Sequence, residues 1–72
     1  DMPAERSKLA PRILSEATRQ FAARGFDATS VQAIAEAVGI RKPSVLYHFP
    51  SKDDLRRSVL EHLLARWGEV LP

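Results

Sequence analysis

Apolar residues recur at three- and four-residue intervals along most of this chain, and glycines and prolines interrupt the rhythm. Ile13, Leu14, Ala17 and Phe21 fall on one stripe, which predicts a first helix starting between Ser7 and Pro11. Ser7 is placed to cap it, and Pro11 is tolerable in an opening turn. Gly25 after Arg24 is a ready stop, because glycine takes the left-handed conformation cheaply, and Phe26 is expected to enter the core beyond it. Val31, Ile34, Ala35 and Val38 mark a second, shorter helix ending at Gly39. Thr29-Ser30-Val31-Gln32 matches a capping box, with Thr29 as the cap and Gln32 reaching back to it. A third short helix is expected near Lys42 to Phe49, with Pro43 in its first turn, Val45, Leu46 and Phe49 facing inward, and Pro50 closing it. Ser51-Lys52-Asp53-Asp54 then reads as the cap and acidic first turn of a fourth helix.

That last helix carries more apolar surface than a small core needs. At about 100° per residue, Leu55, Val59, Leu60, Leu63, Leu64, Trp67 and Leu71 spread over roughly half its circumference. Monomers seldom expose large contiguous apolar patches. The surplus around Leu60, Leu64 and Leu71 is therefore expected to meet another surface, with Trp67 packing between domains. Residues 1–7, with Pro3 and little apolar content, are expected to form a flexible arm. Residues 8–64 then form the domain, and residues 65–72 start a connection to something further. Both ends look cut, with Asp1 preceding Met2 and an apolar run stopping at Leu71, so an excerpt of a longer chain is expected.

Composition narrows the function classes. Seventy-two residues suffice for one small domain. No cysteine is present, which excludes disulfides and cysteine-based zinc sites, and His48 and His62 lack partners at metal spacing, so neither a metal nor a cofactor is expected. No nucleophile–base–acid set, paired carboxylates or glycine-rich phosphate loop stands out, so an enzyme is not expected. No apolar stretch is long enough for a membrane and no signal-peptide pattern opens the chain, which makes the cytoplasm the default compartment. Eleven basic against nine acidic residues give only +2, but no acid lies between Glu36 and Asp53, where Arg41, Lys42 and Lys52 fall. Such a local positive patch suits a phosphate-binding face.

Residues 29–49 hold two short helices joined by a glycine turn, the pattern of a helix-turn-helix unit. In such a unit the first helix braces the second, which enters the DNA major groove by its N-terminal end. Here Ala35 is small enough for close helix contact, Gly39 allows the bend, and Ile40 plugs the angle. A helical hairpin also occurs in protein-interaction modules, and a module of that kind with an incidental basic face is the alternative.

The run Ile13-Leu14-x-x-Ala17, Phe21-Ala22-x-x-Gly25-Phe26-x-Ala28-Thr29-Ser30-Val31, Ile34-Ala35-x-x-Val38-Gly39-Ile40 and Tyr47-His48-Phe49-Pro50-Ser51-Lys52-x-x-Leu55 resembles the DNA-binding domain of the tetracycline-repressor (TetR) family. The resemblance covers Lys8 to Leu64. It implies an all-α fold, a homeodomain-like three-helix bundle with a helix-turn-helix followed by a fourth, linking helix. It implies a homodimeric transcription regulator, mostly a repressor, bound to a palindromic double-stranded operator. Dimerisation and binding of a small-molecule inducer would fall to a separate C-terminal domain, so this segment would not hold the inducer.

The resemblance also carries individual contacts. Thr29 and Ser30 are expected to grip a phosphate at the start of the bracing helix, and Gln32 to reach a base edge or the backbone. Arg41, Lys42, Pro43 and Ser44 lead the recognition helix and are expected to meet bases; Arg41 or Lys42 can donate to guanine O6 and N7. Tyr47, His48 and Lys52 are expected at phosphates, with Lys52 adding its charge to a helix N-terminus. Against these stand plainer roles: Tyr47 as a half-buried core ring, His48 as a structural histidine, His62 as surface, Arg56 and Arg57 as solvated, and Arg6 and Lys8 as part of a disordered arm. The chain departs from the family pattern in two places. Arg41 stands where many relatives have a capping Ser or Thr, and Val45-Leu46 where many have Leu-Tyr, leaving Leu46 for packing or a thymine methyl.

Overall fold

The computed structural model describes the backbone of residues 3–70 and the side chains of residues 8–69. Among these residues the chain forms four helices: α1 (Pro3–Arg24), α2 (Val31–Val38), α3 (Lys42–His48) and α4 (Lys52–Val70). Helix α1 packs against all three others, and α2 packs against α3. Asp1, Met2 and Leu71, and the side chains of Arg6 and Ser7, lie outside the described residues.

Helix α1 begins at Pro3, earlier than the pattern suggests, and Pro11 lies inside it. Residues 3–7 are therefore helical rather than the flexible arm expected from Pro3 and the sparse apolar content: Pro3 is pre-set for a first helical turn, and Ala4, Glu5, Arg6 and Lys8 are sound helix formers. The helix stops at Gly25, which takes φ +87° and donates its amide to the Phe21 carbonyl at 2.8 Å.

The cap of α2 falls one residue later than expected. Ser30, not Thr29, holds the extended N-cap conformation, and its hydroxyl accepts the Ala33 amide at 3.0 Å. Thr29 instead turns inward and is 1% exposed. Its hydroxyl donates toward the Gly25 carbonyl at 2.8 Å and the Gln20 carbonyl at 3.2 Å, which ties the turn to the end of α1. With the cap shifted, the third helical position is Ala33, so Gln32 has no box to close; its amide donates to Glu36 at 3.1 Å.

The other end of α2 closes through Gly39 at φ +86°. The Ile40 amide donates to the Ala35 carbonyl at 3.0 Å and the Gly39 amide to the Glu36 carbonyl at 3.2 Å, the paired bonds of a Schellman end. Ile40 then folds against the core beside Val38. That core is small: Ile13 and Ala17 from α1, Ile34 and Ala35 from α2, Val45 and Phe49 from and just after α3, Leu55 and Val59 from α4. Phe26 stops at the rim rather than entering it. It meets Phe21 ring to ring at 5.3 Å and is roofed by Lys52 Nζ at 4.2 Å and the Arg56 guanidinium at 4.3 Å. Ser51 caps α4 by accepting the Asp54 amide at 3.1 Å, as its sequence predicts. Past Val59 the apolar residues of α4 have little to pack on: Leu60, Leu63, Leu64 and Trp67 are exposed.

Thr29→Val keeps the shape and removes the hydroxyl that serves the Gly25 carbonyl, so it should destabilise by about 1–2 kcal/mol. Gly39→Ala, strained only through its positive φ, should cost about 1–2 kcal/mol. Urea unfolding midpoints measure both. Glu16 gives a pH signature. Hydrogen bonds from Arg19 and Gln20 hold its carboxyl below the ordinary carboxylate range. Its contribution is therefore complete above that range and is lost as pH falls through the depressed titration. Glu16→Gln should flatten the acid limb of a stability–pH curve and leave the neutral plateau with a smaller slope into acid.

Candidate nucleic-acid interface

Helix α3 owes its orientation to its neighbours rather than to its own seven residues, too few to be stable alone. Its base is the Gly39 bend, and α2 beneath it is bonded to α1 near both ends. The Arg12 guanidinium donates to the Val38 carbonyl at 2.9 Å, satisfying one of the last acceptors of α2 and complementing the negative end of its dipole. The Gln20 amide donates to the Ala33 carbonyl at 3.2 Å.

Val45 is the buried anchor of α3. Residues two places either side of it lie about 200° around the helix, so Pro43 and Tyr47 form the outward ridge. Tyr47 is 83% exposed, which removes the core-ring role. Arg41, Lys42 and Pro43 are exposed, while Ser44, Leu46 and His48 are half-buried on the flanks. Arg41 occupies the N-cap position with extended backbone and no side-chain cap bond, so its guanidinium is not engaged in holding the helix. The His48 ring stands edge-on to Tyr47 at 5.1 Å and tilted to Phe49 at 6.5 Å.

Of the remaining expected contacts, Ser30 and Gln32 are exposed on α2, the first with its hydroxyl accepting the cap bond and the second paired to Glu36. Thr29 drops out of the set, because its hydroxyl is buried and directed to α1. Lys52 is half-buried, its ammonium over the Phe26 ring. Arg56 shares that ring and also pairs with Asp53 at 3.0 Å, and Arg57 pairs with Asp54 at 3.0 Å. The contributions of Arg12 and Gln20 were not anticipated from sequence. The only signal was polar residues at Arg12, Glu16 and Gln20, four apart on one stripe of an otherwise amphipathic helix. Among the described residues no cluster of His, Cys, Asp or Glu could hold a metal, and no helix is long and apolar enough to cross a membrane.

The sequence profile of the bacterial regulatory proteins of the tetR family matches residues 13–59, from the core of α1 to the last buried turn of α4. The chain belongs to this family. Over 55 residues it is 44% identical to the HTH-type transcriptional regulator RutR of Escherichia coli K12, covering 76% of this chain and 26% of that protein. It is 44% identical over 70 residues to the HTH-type transcriptional repressor Rv3405c of Mycobacterium tuberculosis H37Rv, covering 97% of this chain and 37% of the relative. With the repressor KstR2 of M. tuberculosis CDC 1551 it shares 40% over 63 residues, covering 82% and 32%. The chain thus spans about a quarter to just over a third of the length of these curated relatives. No solved structure matches it.

In this tetR-family domain, exposure and burial along α3 separate residues that hold the fold from residues available to a ligand. Lys42→Ala and Tyr47→Ala should leave unfolding free energy within about 0.5 kcal/mol of the parent. Val45→Ala, three residues from one and two from the other, should cost roughly 2 kcal/mol. Denaturant titration of the three variants checks the division.

Proposed function

We propose that this domain binds duplex DNA sequence-selectively as the reading part of a transcriptional repressor. The observation that carries this function is the outward side of α3: Arg41, Lys42, Pro43 and Tyr47 are exposed on a helix whose opposite side is anchored by Val45. A helix lifted from a glycine bend and braced by a partner helix suits the B-DNA major groove. Arg41 and Lys42, with Ser44 and Pro43, meet base edges, and a guanine is the natural target of either cation. Tyr47 shares the ridge with Pro43, which favours a contact within the groove over the phosphate contact expected from sequence. Ser30, His48 and Lys52 hold phosphates, and Gln32 reaches the backbone or a base edge once it leaves Glu36.

The greater length of the relatives and the exposed apolar side of α4 support a two-part protein. A C-terminal domain covers Leu60, Leu64 and Trp67, dimerises so that two copies of α3 address a palindromic operator, and binds a small-molecule inducer. Such a regulator works beside the chromosome, in the cytoplasm, and the domain itself performs no chemistry.

An electrophoretic mobility titration of the intact protein against salt tests the function. Phosphate contacts give a steep loss of affinity with rising salt, whereas an interaction module with an incidental basic face gives no shift at any salt. Lys52→Ala should weaken binding to all sequences alike and reduce the salt slope by about one unit. Lys42→Ala should instead lose about 1–3 kcal/mol on the preferred site alone. Equal losses on preferred and random duplexes would remove Lys42 from base reading.

A further inference from the structure

Gln20 is an unexpected occupant of its position. It is 2% exposed, in a helix whose other buried residues are Ile13 and Ala17. Its amide nitrogen donates to Glu16 Oε2 at 2.9 Å and to the Ala33 carbonyl at 3.2 Å. The opposite amide orientation would aim an acceptor at two acceptors, so this one is fixed. Its other terminus, Oε1, is buried without a hydrogen-bond partner. An orphaned acceptor lowers stability, and an apolar side chain of similar length would avoid that loss. Gln20's two bonds and its orphaned acceptor offset one another, so stability gives glutamine no clear advantage over an apolar residue.

Direction does. Apolar packing holds a helix against its neighbour but leaves small slides and rotations inexpensive, whereas a buried hydrogen bond selects one register. Glu16 is itself held by Arg19, so the chain of bonds runs from Arg19 through Glu16 and Gln20 to the first turn of α2. Eight residues earlier on α1, Arg12 binds the last turn of α2 at Val38. Two polar contacts on one helix thus fix both ends of the helix from which α3 departs. We infer that Gln20, acting with Arg12, is a positioning residue for sequence discrimination: it sets the register of α2 on α1 and thereby the aim of α3, without touching DNA.

The inference rests on the proposed DNA-reading function and is tested in the intact protein on a duplex selected by the parent from a random pool. Gln20→Met keeps length and apolar volume and removes both bonds. Its melting temperature should stay close to that of the parent, while its ratio of affinities for selected over random duplex should fall roughly tenfold, the scale of one base contact. Arg12→Met, at an exposed site, should lower the same ratio and spare the fold. A parent that does not discriminate between the duplexes overturns the proposed function. A discriminating parent with a folded Gln20→Met variant that discriminates equally overturns the positioning role, whatever its melting temperature. If Gln20→Met fails to fold, Arg12→Met decides: an unchanged ratio there overturns the inference, and a reduced one supports it.

Discussion

Everything that α3 can do depends on one backbone conformation, the left-handed Gly39. At φ +86° the chain leaves α2 sharply enough for the Ile40 amide to bond back to Ala35 and for the Ile40 side chain to reach the core. Only then does Val45 join Ile34 and Ala35 in the buried core, turning Pro43 and Tyr47 to the opposite side. No Cβ would clash at Gly39, so the requirement is purely one of backbone conformation, which an L side chain meets only with strain.

A core of eight residues, seven aliphatic and one aromatic, gives cohesion but little direction. Direction is supplied by polar groups used sparingly. Thr29 ties the first turn to the end of α1, Gln20 and Arg12 attach α2 to α1, and Ser30 and Ser51 start their helices. The hydroxyl of Thr29 and the amide of Gln20 are both buried, so each bond fixes position more firmly than a surface pair does. The surface pairs Arg56–Asp53 and Arg57–Asp54, in contrast, contribute little by themselves.

Helix α4 plays two parts along its length. Its first turns bury Leu55 and Val59 and hold Lys52 and Arg56 over the Phe26 ring, so cations are ordered at the rim by an aromatic face rather than by carboxylates alone. Beside them, a groove between α1 and α4 of about 290 Å³ is lined by Phe21, Phe26, Val59, Leu60 and Leu63. The same helix therefore joins the ordered cations at one end of the domain to the exposed apolar residues Leu60, Leu64 and Trp67 further along.

The order of four helices, the two glycine stops, the core residues Ile13, Ala17, Ile34 and Val45, and the family itself were legible in the residues, because periodicity and the conformational demands of glycine and proline are local properties. The boundaries were less so: the start of α1 and the cap of α2 each moved, since a hydroxyl's partner depends on which way the chain turns. Thr29 and Ser30 are adjacent and chemically alike, and only the packed structure sends one hydroxyl inward to Gly25 and the other to a helix amide. The burial of Gln20, the reach of Arg12 across to Val38 and the outward stance of Tyr47 likewise arise from where α1, α2 and α3 meet. Sequence alone determined the order of the helices and the centre of each; tertiary packing decided which polar groups hold them in place, because those groups find their partners across elements.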